Sequence, residues 1–506
     1  MALAALLAAL TLTSSAFADG ARIPARFTCD GKDVSPPLRW TAPPRGTRYL
    51  RLTLFDPDAP GGGFTHWRAR IPATWRALRE AQHAPVEGGN DFGRRGYSGP
   101  CPPPGRAHRY VFTLRAVDAH GKTLATARVV GRYARRTTQV VAFPRAARVW
   151  DDQLASNLTD QQLRFVASRL DGSQKLLRSQ VDALHRLNPR FRVLQYRLAI
   201  GLGRRAQILD GDRWIPEWPA HPLERWFAHV NGSREYMKQW GWYLTNPDDP
   251  SWKRTFTSRL RAEIARTHTD AAFLDSASPP TYFGGSVWSP PLKDLDPPFE
   301  RAWSRRLERW LPYVQRAIRK PVIANAGSLI TTRDTTDYSR IAGVMIEGFG
   351  HGLAPGDWLV QMRRARALAA RGRTVICQSY PANERERLFD VASALLIAGP
   401  KTYVNLQTST QPEWWGEYDL PLGRPLGPPN LDLTAKFSSR AYEGGVVYVN
   451  ASTLSVDVDY FRSVTQFVPH GGGVVGPDGT ISTSVERREV GGFTLRPGEA
   501  TVIAER

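Results

Sequence analysis

Cysteine is scarce in this sequence, with three residues in 506. That excludes the disulfide-dense scaffolds used by small exported proteins. No apolar run of transmembrane length follows the N-terminus, and mean hydropathy is −0.38, which excludes a polytopic membrane protein. No His/Cys cluster has zinc spacing, no Gly-x-Gly-x-x-Gly follows a strand, and there is no P-loop, so the sequence calls for no cofactor and no metal. Acidic residues are also few: Asp+Glu 47 against Lys+Arg 68, a net charge of +21. The imbalance is steepest at the front, where residues 1–145 hold 22 Lys+Arg and 9 Asp+Glu. A basic surface attracts nucleic acid, anionic lipid or acidic polysaccharide. The excess is mostly Arg, scattered without a dense basic run or nucleic-acid motif, so no nucleic-acid or integral-membrane partner is expected.

What is present is a folded chain. A hydrophobic share of 42%, with Gly 43 and Pro 39, excludes a wholly disordered or collagenous protein. The length implies two or three domains. Met1 to Leu12 is almost entirely Ala and Leu, and Ala16-Phe17-Ala18 offers a small-x-small site before Asp19. Residues 1–18 therefore read as a secretory signal peptide, without the usual positive n-region. A short membrane anchor is the alternative, but the stretch is too short to span comfortably. The expected location is secreted or periplasmic, where Cys29 and Cys101 can be joined. Cys377, inside Thr374-Val-Ile-Cys, reads as a buried small hydrophobe.

Residues 19–140 alternate short strand-like runs with Pro and Gly. Tyr49 to Phe55, Trp67 to Ile71 and Tyr110 to Val117 argue for a mainly antiparallel β domain. Its polar residues cluster in Asp56-Pro-Asp58-Ala-Pro60, Thr65-His66-Trp67, and Tyr97-Ser-Gly-Pro-Cys-Pro-Pro-Pro-Gly105 before His108-Arg-Tyr110. With Phe27-Thr-Cys-Asp-Gly, Ser35-Pro-Pro-Leu and Val130-Gly-Arg-Tyr133, these motifs resemble the phosphatidylethanolamine-binding protein family in its short bacterial form. The resemblance implies a pocket for a small anion or phospho-ligand at Asp56, Asp58, His66, Gly99, Pro100, His108 and Tyr110. Ala59-Pro60 is then a candidate cis bond. Two imidazoles, a phenol and backbone N–H groups after Gly can donate to anion oxygens. No nucleophile–base pair is evident, so this domain reads as binding. Arg135 to Pro144 reads as a short ordered connection.

Residues 146–430 change pattern to apolar strands followed by helical stretches. Counting from Arg148-Val-Trp150, the strands include Arg164 to Ser168, Arg192 to Tyr196, Ala271 to Asp275, Pro321 to Asn325, Gly343 to Glu347, Thr374 to Gln378 and Thr402 to Asn405. Ser251 to His268, Leu359 to Arg371 and Glu384 to Ile397 read as helices. About eight units in this length predict a (β/α)8 TIM barrel, whose active site lies at the C-terminal strand edge. Five strands end in Asp275, Asn325, Glu347, Gln378 and Asn405. One acid after a strand is usually a turn or helix cap, but two across one mouth supply the carboxylate pair of glycoside hydrolysis.

This segment resembles the hypothetical glycosyl hydrolase family 15 barrels, and more distantly the endo-α-1,4-polygalactosaminidase group. The resemblance is carried by Trp242-Tyr-Leu-Thr-Asn-Pro-Asp-Asp-Pro-Ser-Trp252, Phe273-Leu-Asp275, Val344-Met-Ile-Glu-Gly-Phe349, and Glu417-Tyr-Asp-Leu-Pro-Leu-Gly-Arg-Pro-Leu-Gly427. It implies Asp275 on strand four as nucleophile or base and Glu347 on strand six as general acid. Arg169, Asp171, Gln195, Asn325, Tyr380 and Asn405 are candidate substrate-binding residues near strand ends. Trp242, Phe349, Trp414 and Trp415 are candidates for stacking on sugar. Residues 434–506, with short alternating strands and Gly/Asn turns, predict a small β-sandwich. The leading expectation is an exported, metal-independent glycoside hydrolase acting on a carbohydrate. The alternative is an exported, non-catalytic carbohydrate- or anion-binding protein.

Overall fold

The structure is a computed structural model that describes residues 9–59, 62–102, 106–134, 143–203, 207–209, 212–215, 222–327, 334–434 and 437–504. The chain divides into two compact units, Met1–Val141 and Ala142–Arg506. Among the described residues no helix is long and apolar enough to cross a membrane. Pro60, and residues 135–142 of the expected connection, lie outside the described residues.

The first unit is built from antiparallel strands. β1 (Leu12–Ser14), β2 (Leu38–Trp40) and β5 (Ala77–Leu78) form a three-stranded sheet. β3 (Tyr49–Asp56), β4 (Phe64–Pro72), β6 (Val86–Glu87), β7 (His108–Val117) and β8 (Thr123–Tyr133) form a second, ordered β6-β4-β3-β7-β8. Strict alternation drives this sheet. Leu50, Leu52 and Leu54 of β3 are fully buried beside Phe112 and Leu114 of β7, while their odd-numbered neighbours turn outward. Cys29 and Cys101 are joined, with Cα atoms 5.4 Å apart. One expectation differs. Leu10, Leu12 and Phe17 lie in this core and β1 pairs with β2, so the folded unit begins before the cleavage point read at Ala18.

The second unit holds eight parallel strands at Trp150–Asp151, Gly172–Gln174, Arg192–Leu198, Ala271–Asp275, Val322–Asn325, Gly343–Glu347, Thr374–Ser379 and Thr402–Leu406. They are hydrogen-bonded in that order. A parallel bridge between Val149 and Val404 joins the first to the last, making a near-barrel. Six α-helices pack around it among the described residues: α1 (Asp160–Arg169), α2 (Arg178–Leu187), α3 (Pro250–Thr267), α4 (Pro297–Ile318), α5 (Pro355–Ala370) and α6 (Glu384–Ile397). α3 and α4 start the same way, with Asp249 and Asp296 capping free backbone N–H groups ahead of a helix-opening proline. The run at 164–168, read as a strand, belongs to α1. Thr159 and Gln162 form a capping box that starts this helix, and the second strand is the polar Gly-Ser-Gln that follows it.

Within the barrel strands, alternation sorts side chains between two cores. Phe273, Ile323, Met345, Ile376 and Tyr403 fill the interior. Ala272, Leu274, Val344, Ile346, Val375, Cys377 and Val404 face the helices. Two residues beyond each interior side chain, the same parity places a polar residue at the C-terminal edge. The tail departs from the expected sandwich. Its strands form one six-stranded antiparallel sheet that recruits Glu413–Trp415 and packs on α6, with Tyr442 Oη donating to the Leu395 carbonyl at 2.6 Å.

Candidate functional site

The C-terminal edge of the barrel gathers its polar ends into one network. Asn325 is central. Its Oδ1 accepts from the Gly327 N–H at 3.0 Å, which fixes the amide's orientation. Its Nδ2 then donates to Asp275 Oδ1 at 2.7 Å and to Glu347 Oε2 at 2.6 Å. Two oxygens bound to one nitrogen at those distances are no more than about 5.3 Å apart, which suits the roughly 5–5.5 Å of retaining glycosidases and falls short of the roughly 6.5–9.5 Å of inverting ones. The other oxygen of each acid has a phenol: Tyr196 Oη donates to Asp275 Oδ2 at 2.5 Å, and Tyr380 Oη to Glu347 Oε1 at 2.8 Å.

Burial raises the Glu347 carboxyl above its ordinary value, and the Asp275 charge raises it further. The bonds from Asn325 and Tyr380 oppose that shift. Burial and the neighbouring carboxylates also hold both phenols in the neutral, donating form, Asp275 beside Tyr196 and Glu347 beside Tyr380. A relay supports Glu347 from behind. Asn405 Nδ2 donates to Gln378 Oε1 at 3.3 Å, and Gln378 Nε2 to Tyr380 Oη at 2.7 Å.

Opposite this pair, strands one and two contribute an ion pair. Lys175 Nζ bonds Asp152 Oδ2 at 2.7 Å and lies 5.1 Å from the Tyr196 ring centroid. Burial works against the Lys175 charge, but Asp152, Asp275 and Glu347 outweigh it and raise the ammonium. Asp151 is pushed well up by burial and then by Asp152.

Asp275, Glu347, Asn325, Tyr380 and Asn405 are thus brought together as expected from their strand ends. Four other candidates are not. Asp171 precedes the second strand instead of ending it, so it sits at the opposite edge, bonded to Arg148 Nη2 at 2.7 Å and the Val149 N–H at 3.0 Å. Arg169 is in the last turn of α1, over the Trp414 ring. Gln195 has the wrong parity and accepts from Thr267 at 2.7 Å on the helix side. Trp242 is fully buried against Trp288. Phe349 and Trp414 are likewise core residues, and Trp415 packs under Arg387. Sequence reasoning missed Asp152, Lys175 and Tyr196. Tyr196 shares interior parity with Leu194, a usable signal, whereas Lys175 follows a strand with no apolar run. Among the described residues no cluster of His, Cys, Asp or Glu could hold a metal.

The first unit gathers a second polar group. Asp56, at the end of β3, accepts from His108 Nδ1 at 2.8 Å. His66 Nδ1 lies 2.9 and 3.0 Å from the Ser98 and Gly99 carbonyls, so it carries the proton, and burial lowers its pKa. Neutral His66 therefore presents an acceptor at Nε2, contrary to the expected second imidazole donor. Tyr110 packs edge-on to His66 at 5.2 Å, and burial, with Asp56 beside it, holds its hydroxyl in the neutral form. Two expected contributors are already engaged. The Gly99 N–H donates to Asp33 at 2.7 Å, and Asp58 is held by Arg109 at 2.7 Å, which drives its carboxyl pKa far down. Pro100 sits in the wall, its carbonyl accepting from the Cys29 N–H at 3.2 Å.

Comparison with known proteins agrees with both halves. The phosphatidylethanolamine-binding protein family matches residues 13–157, and hypothetical glycosyl hydrolase family 15 matches residues 185–446. The chain is similar to a UPF0098 protein of Aquifex aeolicus, 40% identical over 154 residues, 25% of this chain and 90% of that protein. It is also similar to the solved phosphatidylethanolamine-binding protein homologue CT736 of Chlamydia trachomatis. Identity there is 33%, covering 25% of this chain and 98% of that one, with a TM-score of 0.24. A noncanonic maltogenic α-amylase, AmyB of Thermotoga neapolitana, aligns over 71% of this chain and 98% of its own at 10% identity, TM-score 0.35.

Proposed function

The chain belongs to hypothetical glycosyl hydrolase family 15 and carries a phosphatidylethanolamine-binding protein domain, and from that premise we propose that its second unit is a (β/α)8 glycoside hydrolase working through Asp275 and Glu347. One observation carries the reading: a single amide nitrogen reaches both carboxylates, which sets a spacing suited to double displacement. Glu347, whose proton is favoured by burial and by Asp275, gives it to the leaving glycosidic oxygen. Asp275 attacks the anomeric carbon and forms a glycosyl ester. Water then enters, Glu347 takes its proton, and the sugar leaves with retained configuration. Tyr196 and Asn325 orient Asp275, while Tyr380 orients Glu347.

The first unit binds a small anion or phospho-ligand, with Tyr110 as donor and His66, His108 and Asp56 fixing its surroundings. Export is supported by the Cys29–Cys101 link, which persists in oxidising compartments.

The test is hydrolysis by the full chain of α- and β-linked polysaccharides, amino-sugar polymers included, beside Asp275→Asn and Glu347→Gln. The expected result is release of reducing ends by the wild type and a loss of roughly 10²–10⁴-fold or more in each variant. Full turnover in either variant refutes the assignment. Silence of the wild type with saturable binding turns the reading to a non-catalytic carbohydrate-binding protein.

A further inference from the structure

The sheet β6-β4-β3-β7-β8 has one face on the core and one face outward. The alternation that buries Leu50, Leu52, Ala69, Ile71 and Leu114 puts Arg51, Arg68, Arg70, Arg115 and Arg128 on the other side. All are exposed except half-buried Arg115. Register then lines three of them up, since Arg51 stands opposite Arg70 on one side and opposite Arg115 on the other. Strands lie about 4.8 Å apart, so three cations cross three strands within roughly 10 Å. Like charges directly opposed destabilise a sheet. Among the described residues the strands of this sheet contain two acids, Asp56, which is buried, and Glu87, which stands opposite Ala69 and accepts from Trp67 Nε1 at 3.3 Å on the other face. The loop acids Asp58 and Asp91 pair with Arg109 and Arg68. Arg51, Arg70 and Arg115 have no acidic partner among the described residues. Tyr49 holds two of them side by side, with the Arg70 guanidinium 3.9 Å over its ring and Arg51 Nη2 donating to its hydroxyl at 3.3 Å.

We infer that this face docks an anionic polysaccharide, whose acid groups are bridged by the Arg51, Arg70 and Arg115 row. Guanidinium forks match carboxylate, sulfate or phosphate oxygens in pairs, and preordered forks lose little freedom on binding. Between the arginines stand Thr53, buried Thr113 and exposed Thr126. A membrane-lying surface needs a continuous apolar face of Trp, Phe or Leu, and the exposed Phe55 lies four residues along β3 from Arg51 instead of within the row. A single-strand nucleic-acid platform would offer an open ring for stacking, and the ring beside this row is capped by Arg70. The disulfide in the same unit fits an oxidising compartment, outside the cytosol. This docking does not depend on the proposed hydrolysis.

The experiment measures binding of the full chain to immobilised polygalacturonate against NaCl. Uncharged dextran, phosphatidylglycerol/phosphatidylcholine vesicles and double-stranded DNA serve as parallel probes. Wild type is compared with Arg51→Gln/Arg70→Gln/Arg115→Gln and with Arg254→Gln/Arg301→Gln/Arg363→Gln, which removes the same charge from exposed positions of the second unit. Polygalacturonate should bind and dextran should not. The row variant should bind at least roughly tenfold more weakly, with a log–log salt slope shallower by about 3. The second-unit variant should stay near wild type. Thermal melting should find the row variant no less stable, because opposed charges are removed. Equal loss in both variants, no loss in the row variant, or tighter binding to vesicles or DNA would overturn the inference.

Discussion

The two units each place two aspartate or glutamate side chains and aromatic hydroxyls near strand ends, yet prepare them for different work. In the first unit each acid has its own nitrogen partner, Asp56 with His108 and Asp58 with the Arg109 guanidinium. In the barrel, Asp275 and Glu347 share a neutral donor, Asn325, and Lys175 is bonded to Asp152. An acid matched to a cation gives up its proton readily, and the pKa of Asp58 is driven far down. An acid beside another acid keeps its proton, and Glu347 is raised. The first arrangement suits holding a ligand, the second suits donating a proton.

Substitutions sharpen that contrast. Lys175→Met strands a buried carboxylate and should cost about 3–5 kcal/mol in the barrel. Asp152→Asn/Lys175→Met should recover much of that, which chemical denaturation would show. A double variant no more stable than the single would mean that Lys175 acts elsewhere. In the first unit the corresponding brace is covalent. The Cys29–Cys101 link spans 72 residues, and Cys29→Ser/Cys101→Ser should lose about 2–4 kcal/mol. It should also weaken phosphate binding observed by ³¹P NMR, because Pro100 and Gly99 border His66. The smallest effect belongs to the exposed pair. Asp58→Asn should change stability by less than about 1 kcal/mol, and a larger loss in denaturation would show that Asp58 does more than hold Arg109.

Much of the barrel site was legible because two regularities coincide there. A short apolar run marks a buried parallel strand, and its last residue of interior parity faces the mouth, which is how Asp275, Asn325, Glu347 and Asn405 could be found together. The same regularities explain the errors. Gln195 is near a strand end but of the opposite parity, and Asp171 is at the wrong end of its strand. Trp242 lies in the excursion after the third strand, where burial of a Trp depends on contacts no spacing rule encodes. Lys175 follows a polar strand held by its neighbours, and the 164–168 run is apolar enough for a strand but carries a helix cap ahead of it. The arginine row was illegible for another reason: Arg51 and Arg115 are distant in sequence and become neighbours only through register.

Burial and the Asp275 charge favour the protonated form of Glu347. Titration of ¹³C-labelled glutamate carboxyls by NMR measures it without a substrate. The Glu347 resonance should titrate above the ordinary glutamate range, move down in Asp275→Asn, and move further up in Asn325→Ala. The acid-competent form is present below that pKa and lost as pH rises through it, so hydrolysis should fall on the alkaline side and the limb should shift with each variant. A Glu347 that titrates at the ordinary value and ignores both substitutions would contradict the coupling and the proposed catalytic pair with it.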